Sequence, residues 1–219
     1  MCGVRRCAFA DDLHTTSKLE SFVFFLLSAI LSEDRHVLNY TNYTVSKEHR
    51  ARVKGFPDSL RIHRSKWFTH PNWAGRMQMP PYHIHYREEM QAVLAQLKDS
   101  LDAPSPEKQQ QLLRRAFQYF ERSMQGLAGH VNIEEHTVFP KYQRAFPNVD
   151  ISFLYKDHEH LHEEEGKLRR EFERAKLDDG RQGVLRVVQA ALAFDAALNT
   201  HLGEEEEIVV PITLAGDLR

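Results

Sequence analysis

Histidine and glutamate recur at fixed spacings in the second half of this 219-residue chain. His130-Val-Asn-Ile-Glu134 and His201-Leu-Gly-Glu-Glu205 each set an imidazole four residues ahead of a carboxylate. In both, a second acid follows at once (Glu135, Glu206) and a proline stands ten residues after the histidine (Pro140, Pro211). Between them, His158-Glu-His-Leu-His162 places two imidazoles four residues apart. Side chains at i and i+4 share one face of an α-helix, so each segment offers two metal-type ligands from one face. Imidazole combined with carboxylate suits iron, manganese or zinc and disfavours calcium or magnesium.

Each pair alone has a plainer explanation. A single histidine on an apolar stripe is usually hydrogen-bonded in a core, and Glu204-Glu-Glu-Glu207 reads equally well as a solvated acidic turn. Three such pairs on consecutive helical segments change the balance, because the ligand candidates fall on the apolar stripes. Phe120, Leu127, His130 and Glu134 share one phase, as do Phe194, Leu198, His201 and Glu205, and Leu154, His158, Leu161 and His162. Ionisable groups brought into a core are costly unless paired or metal-bound.

The elements that must carry these residues are helical. A first apolar stripe opens after Pro80-Pro81 and runs to about Leu101 through Tyr86, Met90, Val93, Leu94 and Leu97. Ser105 and Pro106 form a helix start, and a second helix runs from there to about Phe139, with Pro140 and Pro147 bracketing its end. A third spans about Asp150 to Leu177 and is broken at Asp178-Asp-Gly180; a fourth spans about Arg181 to Val209 and is closed by Pro211. Long helices with short connections predict an all-α, up-down-up-down four-helix bundle. The expected division is an extension over residues 1–77, irregular and partly helical, and a bundle domain over residues 78–214. The extension carries the aromatic cluster Trp67-Phe-Thr-His-Pro-Asn-Trp73 and is read as wrapping the bundle.

A two-metal site needs one more ligand from the first helix, where His83 and His85 are both available. His83 precedes Tyr86 and Met90 by three and seven residues and faces inward in this register, whereas His85 falls to the side. The inventory is then His83, His130, Glu134, His158, His162, His201 and Glu205, too many donors for one ion and enough for two. Glu205 is preferred to Glu206 because it mirrors Glu134. His136 and His160 are expected to point outward, and Glu165 is a further acid one turn after His162.

Composition narrows the remaining classes. A formal charge of −2 gives no electrostatic reason for nucleic acid or an anionic membrane as partner. Thirteen histidines are the compositional outlier, whereas the two cysteines, Cys2 and Cys7, lie far from every histidine pair. That argues against a thiolate zinc or iron–sulfur site and suits a reducing, cytoplasmic setting. The apolar run Ser21–Leu31 has 11 residues, short of the roughly 20 a membrane helix needs. Secretion or anchoring through residues 21–31 is the alternative, and only then do the sequons at Asn39 and Asn42 matter. No nucleophile–base pairing or phosphate-binding glycine loop is present, so no residue is assigned a catalytic role.

With His130-x-x-x-Glu134, His158-x-x-x-His162 and the His201 segment in hand, the chain resembles the hemerythrin family and its wider group of hemerythrin-like HHE cation-binding domains, over roughly residues 80–212. The resemblance implies a four-helix bundle around a non-haem di-iron centre bridged by carboxylates and hydroxide, with zinc or manganese as substitutes. It implies that His158, His162 and His201 hold one iron and His83 and His130 the other. Glu134 and the last-helix acid would bridge, leaving an open position on the second iron for O2 or NO. Oxygen-carrying members have an Asp five residues after the last-helix His, where this chain has Glu206. Glu205, at four, resembles sensor, iron-regulatory and cluster-repair members. Binding or sensing of O2, NO or iron is the expected function, with a di-iron redox enzyme or an iron–sulfur cluster repair protein as the alternative.

Overall fold

Prolines, a serine cap and one glycine mark where the helices begin. The computed structural model describes residue 62 and residues 64–73, 79–177 and 180–215. The run 21–31, both cysteines, both sequons and most of the expected extension over residues 1–77 lie outside the described residues. Helix α1 (Met79–Leu101) has Pro80 and Pro81 in its first turn, where a missing amide N–H costs nothing. Helix α2 (Pro106–Ile133) is capped by Ser105, whose Oγ accepts from the Lys108 amide at 3.3 Å. It passes into a single π turn (Glu134–Val138) and then into α3 (Phe139–Ala145). Helix α4 (Ser152–Leu177) follows Asp150, whose carboxylate accepts from the Ser152 amide at 2.9 Å. Helix α5 (Gly180–Ala215) opens on Gly180 at φ 50°, a left-handed conformation that glycine adopts without steric cost.

Two prolines expected to stop helices do not. Pro140 falls in the first turn of α3, just after the π turn, in which the Phe139 amide reaches back five residues to the Glu134 carbonyl. The slip in phase restarts the helix there, and a residue without an N–H fits the restart. Pro211 lies inside α5, which runs on to Ala215. A helix-interior proline costs about 3 kcal/mol. Ile208, Val209, Val210, Ile212 and Leu214 around it are all at most 1% exposed, and burying each such side chain contributes roughly 1.5–3 kcal/mol. Packing therefore outweighs the lost hydrogen bond.

The long helices form a bundle in which α1 packs on α2 and α5, α4 packs on α5, and α2 meets α4. Short connections join α1 to α2 and α4 to α5, so the molecule is built from two helical hairpins. No strand occurs among the described residues, and no described helix is long and apolar enough to cross a membrane. The interior is layered. The main apolar layer joins Met90, Leu97, Leu113, Phe120, Phe172, Val188 and Phe194. A second, beyond the π turn, joins Phe139, Tyr142, Ile151, Leu154, Ile208 and Ile212. Part of the N-terminal region docks at the same end: Trp67 is fully buried against Val210 and Leu214, its indole donates to the Ile62 carbonyl at 2.8 Å, and Asn72 Nδ2 donates to the Leu214 carbonyl at 2.9 Å. Between the two apolar layers lies a polar one.

Candidate metal centre

Each helix changes from apolar to polar side chains at the same depth. On α1 the change comes at His83, one turn before Tyr86; on α2 and the π turn at His130 and Glu134, between Leu127 and Phe139. On α4 it comes at His158, between Leu154 and Leu161, and on α5 at His201 and Glu205, between Leu198 and Ile208. His83, His201, Glu134 and Glu205 are at most 1% exposed. The donor atoms of His83, His130, Glu134 and Glu205 lie within 4.8 Å of one another, as do those of Glu134, His158, His201 and Glu205. These two groups share both carboxylates.

The imidazoles pair by hairpin. His83 and His130, from α1 and α2, bring their Nε2 atoms to 3.3 Å. His158 and His201, from α4 and α5, bring theirs to 3.0 Å. Each carboxylate touches one imidazole of each pair. Glu134 Oε1 is 2.9 Å from His130 Nε2 and Oε2 is 3.5 Å from His158 Nε2. Glu205 Oε2 is 3.4 Å from both His83 Nε2 and His201 Nε2. Despite this proximity, none of the four carboxylate oxygens makes a well-formed hydrogen bond. Buried oxygens without partners are costly, and nitrogen lone pairs converging on them are the arrangement a cation would satisfy.

Behind the Nε2 atoms, two further acids hold the rings. Glu206 accepts from His83 Nδ1 at 3.1 Å and is paired with Arg87 at 2.6 Å. Glu135 accepts from His158 Nδ1 at 2.8 Å. A proton held on Nδ1 leaves the Nε2 lone pair for a metal, and such carboxylate partners orient the ring and raise its basicity. The support crosses between hairpins: α5 supplies the acid behind His83, and the π turn supplies the acid behind His158.

A family model described as the hemerythrin HHE cation binding domain matches residues 83–213. The chain belongs to the hemerythrin family. Comparison with curated proteins and with solved structures returns no match. An HHE domain implies a bound metal cation, and the electrostatics of this one are consistent with that. Burial pushes His83 down despite Glu206, and burial together with the facing His158 holds His201 well below the ordinary imidazole value. Burial would also lower His158, but Glu134 and Glu135 outweigh it and raise the ring. Burial would raise Glu134, yet the adjoining His130 and His158 hold it down at about 2; burial and then the charge of Glu134 push Glu205 well up. Two buried carboxylates this close do not both ionise without added positive charge.

The HHE domain treats the remaining sequence candidates unequally. His162 is not drawn into the cluster: its side chain is 88% exposed and lies 3.7 Å from Glu165. His85 is 58% exposed and faces Glu89, whereas His83 is fully buried. Glu165 turns to Arg169, His136 and His160 are exposed, and His70 accepts from the Asn72 amide at 3.2 Å. His14, His36, His49 and His63 lie outside the described residues. Glu204, Glu205 and Glu206 are all buried, so the acidic run is not a solvated turn. Sequence reading did not single out Arg87, and it noted Glu135 only as a second acid, without its role behind His158. Arg87 stands four residues after His83, so a charge one turn along from a core ligand was the signal for it; Glu135 depends on the π turn, which no residue pattern announced.

Proposed function

We propose that this protein is a non-haem di-iron protein that binds O2 or NO. His83 and His130 would hold one iron, His158 and His201 the other, and Glu134 and Glu205 would bridge them. The observation that carries this reading is the sharing of both carboxylates between the two imidazole pairs. One carboxylate between two imidazoles is a hydrogen-bonded core motif; two, each spanning the same two pairs, fit a pair of cations. Nitrogen and oxygen donors without thiolate suit iron, with zinc or manganese able to occupy the same ligands. A reducing, cytoplasmic setting would keep such iron ferrous. When bound, the iron pair would supply electrons to a diatomic ligand.

The chain's own residues then position and exclude. Glu206 and Glu135 keep Nδ1 of His83 and His158 protonated, and Arg87 neutralises Glu206 in the interior. With His162 outside, each cation would take two imidazoles, so ligand number does not single out the His83/His130 position as the open one. A cavity of about 350 Å³ between α2 and α4 reaches His158 and Glu135 past Met124, Leu127, Val131, Leu161 and Phe194. Its apolar wall suits a neutral diatomic better than water, which makes the His158/His201 side our choice for ligand approach. Residues 78–214 would be the functional domain.

Anaerobic loading of the whole chain with Fe²⁺ should give two irons per chain, and admitting O2 or NO should produce ligand-to-metal charge-transfer bands in the visible. One iron per chain, or two irons with no optical response to either gas, would overturn the reading.

A further inference from the structure

His201 differs from the other buried imidazoles at its outer edge. Its Nε2 faces His158 and Glu205, but its Nδ1 is buried with no hydrogen-bond partner, whereas Nδ1 of His83 and of His158 each meets a carboxylate. His201 also lines a second cavity, of about 390 Å³, between α4 and α5. Asp157 and His160 from α4 and Thr200 from α5 complete its polar lining, and Ala193, Ala196 and Ala197 form the rest. With Nε2 turned to the centre, the edge carrying Nδ1 is the one left to this slot.

We propose that the slot is the uptake route for divalent cations, with Asp157 and His160 as the loading ligands and His201 as the point of transfer. This rests on the reading that the centre binds cations. Carboxylate, imidazole and hydroxyl are the donors a divalent first-row ion accepts. No Lys or Arg lines the slot, Asp157 stands in it, and the Glu134 carboxylate lies behind His201, so the potential along it attracts positive charge. Size supports the same view. At about 30 Å³ per liquid water, the slot admits an ion with much of its hydration shell, which the polar lining then replaces stepwise. Three alanines on the α5 side leave that space open. The cavity between α2 and α4 also carries acids, Glu135, Glu159 and Glu165, but the imidazole it reaches, His158, already has its Nδ1 on Glu135 and lacks the unpartnered nitrogen edge that His201 presents.

The test is stopped-flow uptake of Co²⁺ by the cation-free full chain, read from its visible absorbance, with final stoichiometry from elemental analysis. Asp157→Asn/His160→Ala should slow uptake by about tenfold or more, the scale of losing an electrostatic funnel, while the final Co²⁺ content matches the parent. Ala196→Phe, which plugs the slot, should slow it likewise, and Val131→Phe in the other cavity should not. An unchanged rate in Asp157→Asn/His160→Ala overturns the proposal; should that variant fail to fold, Ala196→Phe decides by the same criterion. If the parent chain binds no Co²⁺ at all, it is the two-cation reading that fails instead.

Discussion

His158 and His162 show how far residue spacing carries. Positions four apart share a face, but at about 100° per residue the second drifts about 40° round the helix. Leu154, Leu161, Leu168 and Phe172 centre the buried face of α4 about 60° to the other side of His158. His158 therefore lies at the edge of the interior and His162 beyond it. His162→Ala is expected to retain the parent's metal content in elemental analysis. Glu135→Ala, which removes the partner of His158 Nδ1, should weaken binding about 10- to 100-fold in a chelator competition. Tyr142 gives a prediction at high pH. Burial pushes its hydroxyl up to about 12, against the partly offsetting hydrogen bond with Thr213. The folded chain then holds that proton while the unfolded chain releases it near 10, so the contribution is complete below pH 10 and is lost as pH climbs to 12. Two units correspond to roughly 3 kcal/mol. Urea unfolding at pH 9 and pH 12 should show this loss, and Tyr142→Phe should show a smaller one.

At the scale of elements, the helices were legible because a 3.6-residue apolar period is a strong signal, and Ser105-Pro106 states a helix start in local chemistry. Helix ends were less so. Pro211 is a local stop signal overridden by non-local packing, whereas Pro140 fits the helix restart after the π turn, and that turn is a change of phase with no compositional mark. The N-terminal region shows the same limit. Its aromatic cluster was visible, but the partner of Trp67 on α5 lies more than a hundred residues away in sequence. Trp67→Ala removes a fully buried indole that rests on Val210 and Leu214. It should cost about 3–5 kcal/mol in urea unfolding. A loss under 1 kcal/mol would mean that the segment does not brace α5.

At the scale of the whole molecule, the two hairpins contribute alike. Each supplies one pair of imidazoles, one shared carboxylate and one acid that supports a histidine of the other hairpin. The chain between α3 and α4 carries none of these groups, and its buried Val149 and Ile151 belong to the second apolar layer rather than to the polar one. Two half-molecules, cut between Phe146 and Asp150 and expressed together, should therefore reassociate into a cation-loaded heterodimer on size exclusion, while neither half alone retains metal. Such reciprocal construction is what an ancestral homodimer of one hairpin would have needed, and the repeated His130 and His201 stretches are the trace that gene duplication and fusion would leave.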